Sequence, residues 1–561
     1  MKFADIPYTR LNLEEINAQY DALIFAMKEA DGYAAVKDAF VRKDRYERHL
    51  STMRSLASIR NSIDTRDPFY DREMQYWHHA APAIAAREKE WAMALLASPW
   101  VDDLADEYGP VFLENLRIKA RTYHPKNETR MRQENLLVKK YQDLIASARI
   151  PFHDSFFSMA QLSPYKNDPD DAVRKEAWIA EGTWLKQNQK ELDDIYDSLV
   201  HLRHDMAVEM GYENFLPLGY DRMTRNCYGR REVEAFREAV RRYIVPLAYE
   251  IQKAQSKRTG FELPMLHCDN QLEFRDGNPR PSGDVVEAAA DFYHALSPKT
   301  DAFFKDMRAG EFYDLPSRDG KRAGGYCTSV ADYRMPFIFA CLNGTQHDVE
   351  VMTHEAGHAF AAYVNRDRVP LSTVWPTLEA CECHSMSMEF FSELYAERFF
   401  GKDTDKYRFS HLAGAIRFLP YGTMVDHFQH IVYDSPNLTP SERDQVWRDL
   451  TAVYQPWLKL DGTIPMYGEG MAWQRQHHIY TRPFYYIDYC LAQTISLVFW
   501  SLIRKDRDAA WDKYMKFTEQ GGSMTFTELL KHAELPSPFD EKTLAAAAAE
   551  AAEALKEFEG K

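Results

Sequence analysis

Apolar residues recur three or four positions apart along most of the chain, which is the spacing of one face of an α-helix. Residues 67–96, 170–210 and 231–255 carry this pattern over long stretches with many charges and few helix-breaking residues. Residues 543–560 are rich in alanine with Glu and Lys, so they predict a helix that docks on the surface or frays. We find no repeat at the periods typical of solenoids. The pattern predicts a mainly α protein.

Residues 324–342 break the helical pattern. The runs 324–328 and 335–342 are short, extended and rich in aromatic and β-branched residues, with a polar turn between them. Gly324 and Gly325, at the start of the first run, permit another backbone to approach closely. These residues predict a small β-hairpin, and the sequence alone supports a structural role and a binding role equally.

A helix with a broad apolar face is predicted directly after the hairpin. Its apolar positions lie three, four and seven apart: Val349, Met352, Ala356, Ala359, Phe360 and Tyr363. Thr345 and Asp348, which follow an Asn-Gly pair, supply turn and N-cap chemistry at its start. We expect one face of this helix to pack into a core, which disfavours a fully solvated surface helix.

The same helix carries the motif His354-Glu355-Ala356-Gly357-His358. Residues four apart share a helix face, so both imidazoles can reach one metal ion. Glu355 is then placed beside that ion, where it can take a proton from metal-bound water. Two histidines and a more distant glutamate are the ligand set of catalytic zinc in thermolysin-type metalloproteases. The motif predicts a zinc peptidase.

The third ligand is expected in a predicted helix over residues 378–393, which holds neither proline nor glycine. One face of this helix presents Glu382, Met386, Glu389 and Glu393. Such an acidic face is usually just solvated, but here a nearby cation needs a third ligand and supporting groups. Periodicity leaves several candidates for that ligand: Glu379, Glu382, Cys381, Cys383 and His384.

Composition and charge narrow the class of protein. The 561 residues, 45% of them hydrophobic, suit a large globular core with several subdomains. A net charge of −16 without a basic stripe argues against a nucleic-acid partner. The start of the chain lacks the apolar core of a signal peptide, and the longest uncharged run, 489–503, is too short to span a bilayer. Seven scattered cysteines predict reduced thiols and a cytoplasmic location.

The motif and the residues around it resemble a known family. The stretches 343–345, 348–349 and 353–360 are similar to the M3 family of metallopeptidases, and most of all to its oligoendopeptidase F branch with the Pz-peptidase-like enzymes. The resemblance implies one Zn²⁺ per chain, held by His354, His358 and Glu382. It also implies that Glu389 orients a ligand histidine. The two cysteines that flank Glu382 depart from the family and are expected to point away from the ligand face.

The resemblance continues in residues 465–470, 476–480 and 483–489. It assigns His478, Tyr485 and Tyr489 to the groups that face the substrate carbonyl. His477 and Tyr486 are adjacent to His478 and Tyr485, so the sequence does not distinguish this assignment from one shifted by one position. Without the family, tyrosines so frequent in this segment indicate ordinary core or rim positions.

The resemblance also implies an architecture and a substrate strand. The family fold is mainly α, with two helical lobes, a small β-sheet beside the HExxH helix and a deep substrate channel. We therefore divide the chain into a helical N-terminal lobe, 1–200, and a catalytic lobe, 201–561. Within the predicted hairpin, Gly324, Gly325 and Tyr326 are expected to pair with peptide substrate as an added strand.

The predicted function is a zinc-dependent oligoendopeptidase that cleaves internal bonds of short unstructured peptides, with metal-activated water and Glu355 as general base. The alternatives are a terminal-trimming metallopeptidase, either a dipeptidyl carboxypeptidase or an aminopeptidase, and a catalytically silent peptide-binding scaffold. Terminal trimming needs a fixed charge near zinc, which the sequence does not reveal. The expected partners are short peptides, without nucleic acid or membrane, and the sequence leaves the oligomeric state open.

Overall fold

Helices make up most of the computed structural model, which describes residues 1–260 and 272–559. The helices of the first half are α1 (Leu13–Lys28), α2 (Tyr33–Ile63), α3 (Pro68–Leu96), α4 (Val101–Tyr108), α5 (Val111–Arg121), α6 (Glu128–Ala146), α7 (Met159–Leu162), α8 (Asp171–Gln187), α9 (Gln189–Glu209), α10 (Phe215–Arg222), α11 (Arg230–Ala239) and α12 (Val245–Thr259). The strands there are β1 (Ile150–Phe152) and β2 (Ser155–Phe157), an antiparallel pair. The prediction of a mainly α protein is confirmed.

The second half contains the motif helix and the larger sheet. Its helices are α13 (Val285–Leu296), α14 (Pro298–Gly310), α15 (His347–Val364), α16 (Leu378–Ser392), α17 (Ala396–Phe400), α18 (Thr404–Asp434), α19 (Pro440–Tyr454), α20 (His477–Thr481), α21 (Tyr486–Lys505), α22 (Arg507–Thr518), α23 (Phe526–His532) and α24 (Glu541–Glu559). Its strands are β3 (Tyr313–Pro316), β4 (Tyr326–Val330) and β5 (Met335–Leu342).

The long helices predicted from the sequence form, with two interruptions. The helix predicted over 67–96 is α3, which Asp67 caps by accepting from two backbone N–H groups of the first turn. The one predicted over 170–210 divides into α8 and α9 at Asn188, whose side-chain amide bonds the carbonyl of Trp184 and competes with the helix. The one predicted over 231–255 passes through a π-helical segment, Val240–Ile244, just before Pro246, which has no N–H to donate.

The alanine-rich C-terminal segment is docked. Along α24 the side chains of Leu544, Ala551 and Ala554 are buried, and the helix packs against α18 and α21. Of the predicted range 543–560, residue 560 lies outside the described residues.

The predicted hairpin is confirmed and belongs to a three-stranded sheet. β4 and β5 are antiparallel, with Tyr326 opposite Phe339 and Val330 opposite Met335. β3 pairs in parallel with the other side of β5, so the strand order is β3-β5-β4 and β4 lies at one edge. The central strand is buried along most of its length and packs on α15. This contact places the edge strand beside the motif helix.

The division into lobes at residue 200 stays a prediction. One cluster of buried apolar residues extends from Phe3 to Leu555, and Phe3 itself packs on Phe337 of β5 with ring centroids 4.3 Å apart. The first residues of the chain therefore help to hold the three-stranded sheet in place. The deep channel also stays a prediction.

One helix among the described residues, α21, is long and apolar enough to cross a membrane by length and composition. It has 20 residues because the helix extends beyond the uncharged run 489–503 at both ends, where it includes Asp488, Arg504 and Lys505. Within its most apolar window 72% of the residues are buried in the protein, where α21 packs against α16 and α18. A buried core helix passes the same test, so this is weak evidence for a membrane span.

Candidate metal centre

Helices α15 and α16 approach each other closely at Gly357, inside the motif. A Cβ atom on Gly357 would lie 2.7 Å from the Cα of Ser385 and 2.8 Å from the carbonyl oxygen of His384. Only a residue without a side chain allows this approach. The contact sets how α16 faces α15, and thereby which side chains of α16 reach the motif histidines.

Three side chains of these helices converge on one point. Nε2 of His354 and Nε2 of His358 lie 3.3 and 3.4 Å from Oε2 of Glu382. One ligand atom from each residue falls within 4.8 Å of the other two, and this is the one such group of metal-ligating side chains found in the described residues. The two imidazoles outweigh the effect of burial and hold the pKa of Glu382 well below its usual value, so its carboxylate stays ionised. The donor set fits a divalent cation that prefers nitrogen and oxygen ligands.

The other candidates for the third ligand lie elsewhere. Glu379 accepts a hydrogen bond from Thr377 at 2.8 Å, and burial followed by a neighbouring carboxylate raises its pKa. The thiol of Cys381 contacts a backbone carbonyl of the preceding turn, Cys383 is buried in the core, and His384 packs its ring against aromatic residues. The expectation that both cysteines point away from the ligands agrees with these contacts.

A chain of hydrogen bonds supports His354 from behind. Its Nδ1 lies 2.7 Å from Oε1 of Glu389, and Oε2 of Glu389 lies 3.0 Å from Nε2 of His411. Nδ1 of His411 in turn lies 2.6 Å from Glu393. Burial would raise the pKa of Glu389, but the two histidines outweigh it and hold the pKa at about 2. Glu389 is thus an anion between two imidazoles, the arrangement that fixes the orientation of a metal-ligating histidine.

Sequence reasoning missed His411. It lies on α18, and no short motif links it to α16. The available signal was the spacing of Glu389 and Glu393, which lie four apart on one helix face and can therefore share a basic partner from another helix. Ser385 was missed as well; its hydroxyl donates to Oε2 of Glu382 at 3.1 Å.

Glu355 lies between the motif histidines and the edge strand. Its side chain is 8% exposed, and burial raises its pKa. A Cβ on Gly325, just before β4, would lie 3.3 Å from Oε1 of Glu355, so a larger residue there would crowd the carboxylate. The predicted N-cap is absent: Asp348 instead accepts from the backbone N–H groups of Asn343 and Gly344, which closes the loop before α15.

His478 approaches the site as a neutral side chain of defined tautomer. Tyr421 donates to Oε1 of Gln476 at 2.8 Å, which turns the amide nitrogen of Gln476 toward Nδ1 of His478, also at 2.8 Å. Nδ1 then accepts, so the proton is on Nε2. Burial, followed by the charges of neighbouring basic groups, lowers the pKa of His478 to about 3. His478 is therefore a neutral donor, whereas His477 is exposed.

Two tyrosines complete the cluster. The hydroxyl of Tyr485 donates to Oε1 of Glu382 at 2.6 Å, and burial with the nearby carboxylate raises its pKa, so it stays protonated. The ring of Tyr489 is 4.8 Å from that of Tyr485 and 5.9 Å from that of His478. The ring of Tyr486 lies 5.0 Å from that of His478 and also packs against aromatic residues of α18. The hydrogen bond to Glu382 favours Tyr485 over Tyr486, and the contact with Gln476 favours His478 over the exposed His477.

Substituting Gly357 with alanine is expected to destabilise the protein by about 1–3 kcal/mol, the usual cost of overpacking a tight contact. The new methyl group would collide with the backbone of α16 and push that helix, with Glu382, away from the histidines. Denaturant unfolding and metal titration of the variant measure both effects.

The matched control is Gly414→Ala in the middle of α18. A Cβ at Gly414 meets nothing within 4 Å, so alanine should leave stability unchanged or increase it by up to about 1 kcal/mol through its better helix propensity. Equal effects of the two substitutions would show that the contact at Gly357 does not determine the geometry.

Comparison with known proteins identifies the family. Residues 3–123 match the Peptidase M3 N-terminal domain, and residues 288–549 match Peptidase family M3. Oligopeptidase PepF of Bacillus subtilis is 25% identical over 269 residues, which cover 45% of this chain and 39% of that protein. The first family match begins at residue 3, and the second ends within α24.

Solved structures extend the similarity over the full length. Pz peptidase A, determined with an inhibitor, is 38% identical with a TM-score of 0.95, and the match covers 99% of both chains. A crystal structure provisionally named an oligoendopeptidase F is 40% identical, also with a TM-score of 0.95 and 99% of both chains covered. Identity at this level over the whole length, together with the two family matches, shows that the chain belongs to peptidase family M3, in its oligoendopeptidase F branch, and is a metallopeptidase that hydrolyses peptides.

Proposed function

We propose that this metallopeptidase is a zinc-dependent oligoendopeptidase that cleaves internal bonds of short unstructured peptides. The observation that carries the proposal is the convergence of His354, His358 and Glu382, with ligand atoms within 4.8 Å of one another, beside the buried carboxylate of Glu355. Two imidazoles and one carboxylate are the ligand set of catalytic zinc in peptidases. Zinc bound there would act as a Lewis acid on the scissile carbonyl and on the attacking water.

Glu355 is the proposed general base. Burial raises its pKa, and a more basic carboxylate is a better acceptor for the proton of the attacking water. The same carboxyl group then gives that proton to the nitrogen of the leaving amine. Because Gly325 leaves room on one side of the carboxylate, the base can reach a peptide that lies along β4.

His478 and Tyr489 are the proposed donors to the carbonyl oxygen as it gains negative charge. His478 carries its free proton on Nε2 and is neutral, so it donates without being attracted to the ligand carboxylate as a cation. The hydroxyl of Tyr485 can donate to the substrate carbonyl oxygen only if it gives up its hydrogen bond to Glu382. A donor in such a position lowers the activation free energy by on the order of 3 kcal/mol.

The edge strand is the proposed site of backbone pairing with substrate. β4 is at the outside of its sheet, and Gly324, at a φ of 103° with open space around it, and Gly325 precede it directly. Tyr326 anchors the strand by stacking on Phe339 at 5.0 Å. A peptide added here lies next to Glu355, and pairing requires an extended chain, which folded proteins do not present.

The substrate size follows from burial. Glu355 and Glu382 are 8% and 3% exposed, so a flexible segment must enter the protein to reach them.

We propose a cytoplasmic location, which the free thiols of all six described cysteines support.

The proposal is tested with a mixed pool of unstructured peptides, about 5 to 40 residues long, incubated with the protein and analysed by mass spectrometry. We expect internal cleavage of the shorter peptides, loss of cleavage after chelator treatment, and recovery when about one equivalent of Zn²⁺ per chain is added. The control is a folded protein that contains one of the cleaved sequences, which should stay intact.

Release of single residues or dipeptides from one end only would replace the proposal with terminal trimming. Absence of any cleavage by the zinc-loaded protein would contradict peptidase activity on this substrate class.

A further inference from the structure

Arg482 is an exposed arginine at the end of α20 that takes no part in the chemistry described so far. Its guanidinium carbon lies 4.6 Å from the ring centroid of Tyr485. That tyrosine is the one whose hydroxyl donates to Glu382 at 2.6 Å. The positive charge of Arg482 is thus one aromatic ring away from the proposed zinc ligands.

Arg482 forms no ion pair with any residue in the ranges 1–260 and 272–559. Its neighbours behave differently: Arg475 pairs with Glu181 and Arg225 pairs with Asp488. The charge of Arg482 nevertheless acts on the site. It helps to lower the pKa of His478, although burial and the neighbouring His477 lower that pKa more. A cation beside a peptidase site without a carboxylate partner is available to a carboxylate of the substrate.

The backbone that carries Arg482 is held firmly. Phe484, two residues on, is fully buried and adopts a φ of 67°, which is rare for an aromatic residue. Its N–H donates to Gln429 at 3.0 Å, and its carbonyl accepts from the guanidinium of Arg225. Pro483 restricts the chain between the two. The surroundings therefore over-determine this turn and fix the backbone position from which Arg482 extends over Tyr485.

We propose that Arg482 binds a carboxylate of the substrate close to the scissile bond. The inference rests on the proposed function and specifies its substrate class: peptides with a negative charge about two or three residues from the cleaved bond. That distance follows because an extended peptide advances about 3.3 Å per residue, and one tyrosine ring separates the guanidinium from Glu382. The carboxylate is an Asp or Glu side chain, because a C-terminal carboxylate at this distance would make the enzyme trim one end of the peptide instead of cleaving internal bonds.

The test uses one cleavable peptide without acidic side chains, prepared with a free C-terminus and as its C-terminal amide. Further amidated versions carry Glu in place of Gln at each single position around the cleaved bond. Values of kcat and KM are measured for the wild type, Arg482→Gln, Arg482→Lys and the control Arg231→Gln, an exposed arginine on α11. All proteins are loaded with Zn²⁺.

We expect the wild type to cleave at least one amidated peptide that carries Glu with a kcat/KM about 10-fold above that of the neutral amide, mainly through KM. Arg482→Gln should remove this preference by lowering kcat/KM for the Glu-bearing peptide about 10-fold more than for the neutral amide. Arg482→Lys should keep part of it, and Arg231→Gln should keep all of it. Preference for Glu at one position supports the inference, whereas preference for the free C-terminus alone would contradict it and indicate terminal trimming.

Two results would overturn the inference and leave the peptidase function standing. One is equal cleavage of all peptides by the wild type. The other is a uniform loss of rate in Arg482→Gln, neutral amide included, which would make the arginine a structural cover for Tyr485. Failure of the zinc-loaded wild type to cleave any peptide would instead overturn the proposed function, and the inference with it.

Discussion

Glu355→Gln is expected to lower kcat by about 10²–10⁴-fold, the range that a positioned general base contributes, and to leave the bound metal in place. Glutamine has the size of glutamate but cannot take the proton of the attacking water. His354, His358 and Glu382 keep their mutual contacts in this variant, because Glu355 bonds to none of them. The measurement is kcat on a peptide that the wild type cleaves, with metal content determined on the same sample.

Glu350→Gln is the matched control for this substitution. Glu350 lies on the same helix and is largely buried, but its carboxylate bonds Gln346 and His347 at the start of α15. We expect its activity to stay within a few-fold of the wild type. Loss of metal from Glu355→Gln would show that Glu355 is a ligand, and substantial residual activity would require another base.

The helices and the motif could be predicted from sequence because their signals are local. Periodicity gives the apolar face of α15, and the same four-residue spacing places His354 and His358 together. The choice between Glu379 and Glu382 could not be made in this way. It depends on the rotation of α16 against α15, which is set by the contact at Gly357 between residues distant along the chain.

The residues that set the protonation and charge around the site could not be predicted from the sequence, for the same reason. The proton position on His478 follows from Gln476 and Tyr421, and only the folded structure brings Tyr421 of α18 to that amide. Arg482 reads as one more surface arginine until its ring partner Tyr485 is known. The sequence therefore identified the expected chemistry, while the structure supplied the features that point to a substrate preference.

Glu382→Gln is expected to reduce zinc affinity by more than about 100-fold, beyond the 10–100-fold typical of groups that only support a ligand. In the proposed site the carboxylate is one of three protein donors, and its low pKa keeps it charged in the wild type. A neutral amide cannot replace that charge between two histidines. The loss should be measured as metal content after dialysis against a zinc buffer, with thermal unfolding as a check on the fold.

Glu379→Gln distinguishes loss of a ligand from loss of any buried acid on α16. Glu379 lies one turn before Glu382, is equally buried, and bonds Thr377 away from the histidines. Its raised pKa, due to burial and the nearby Asp488, means that an amide there removes little charge. We expect it to retain zinc at the wild-type level. Retention of zinc by Glu382→Gln, or its loss from Glu379→Gln, would show that Glu382 is not the third ligand.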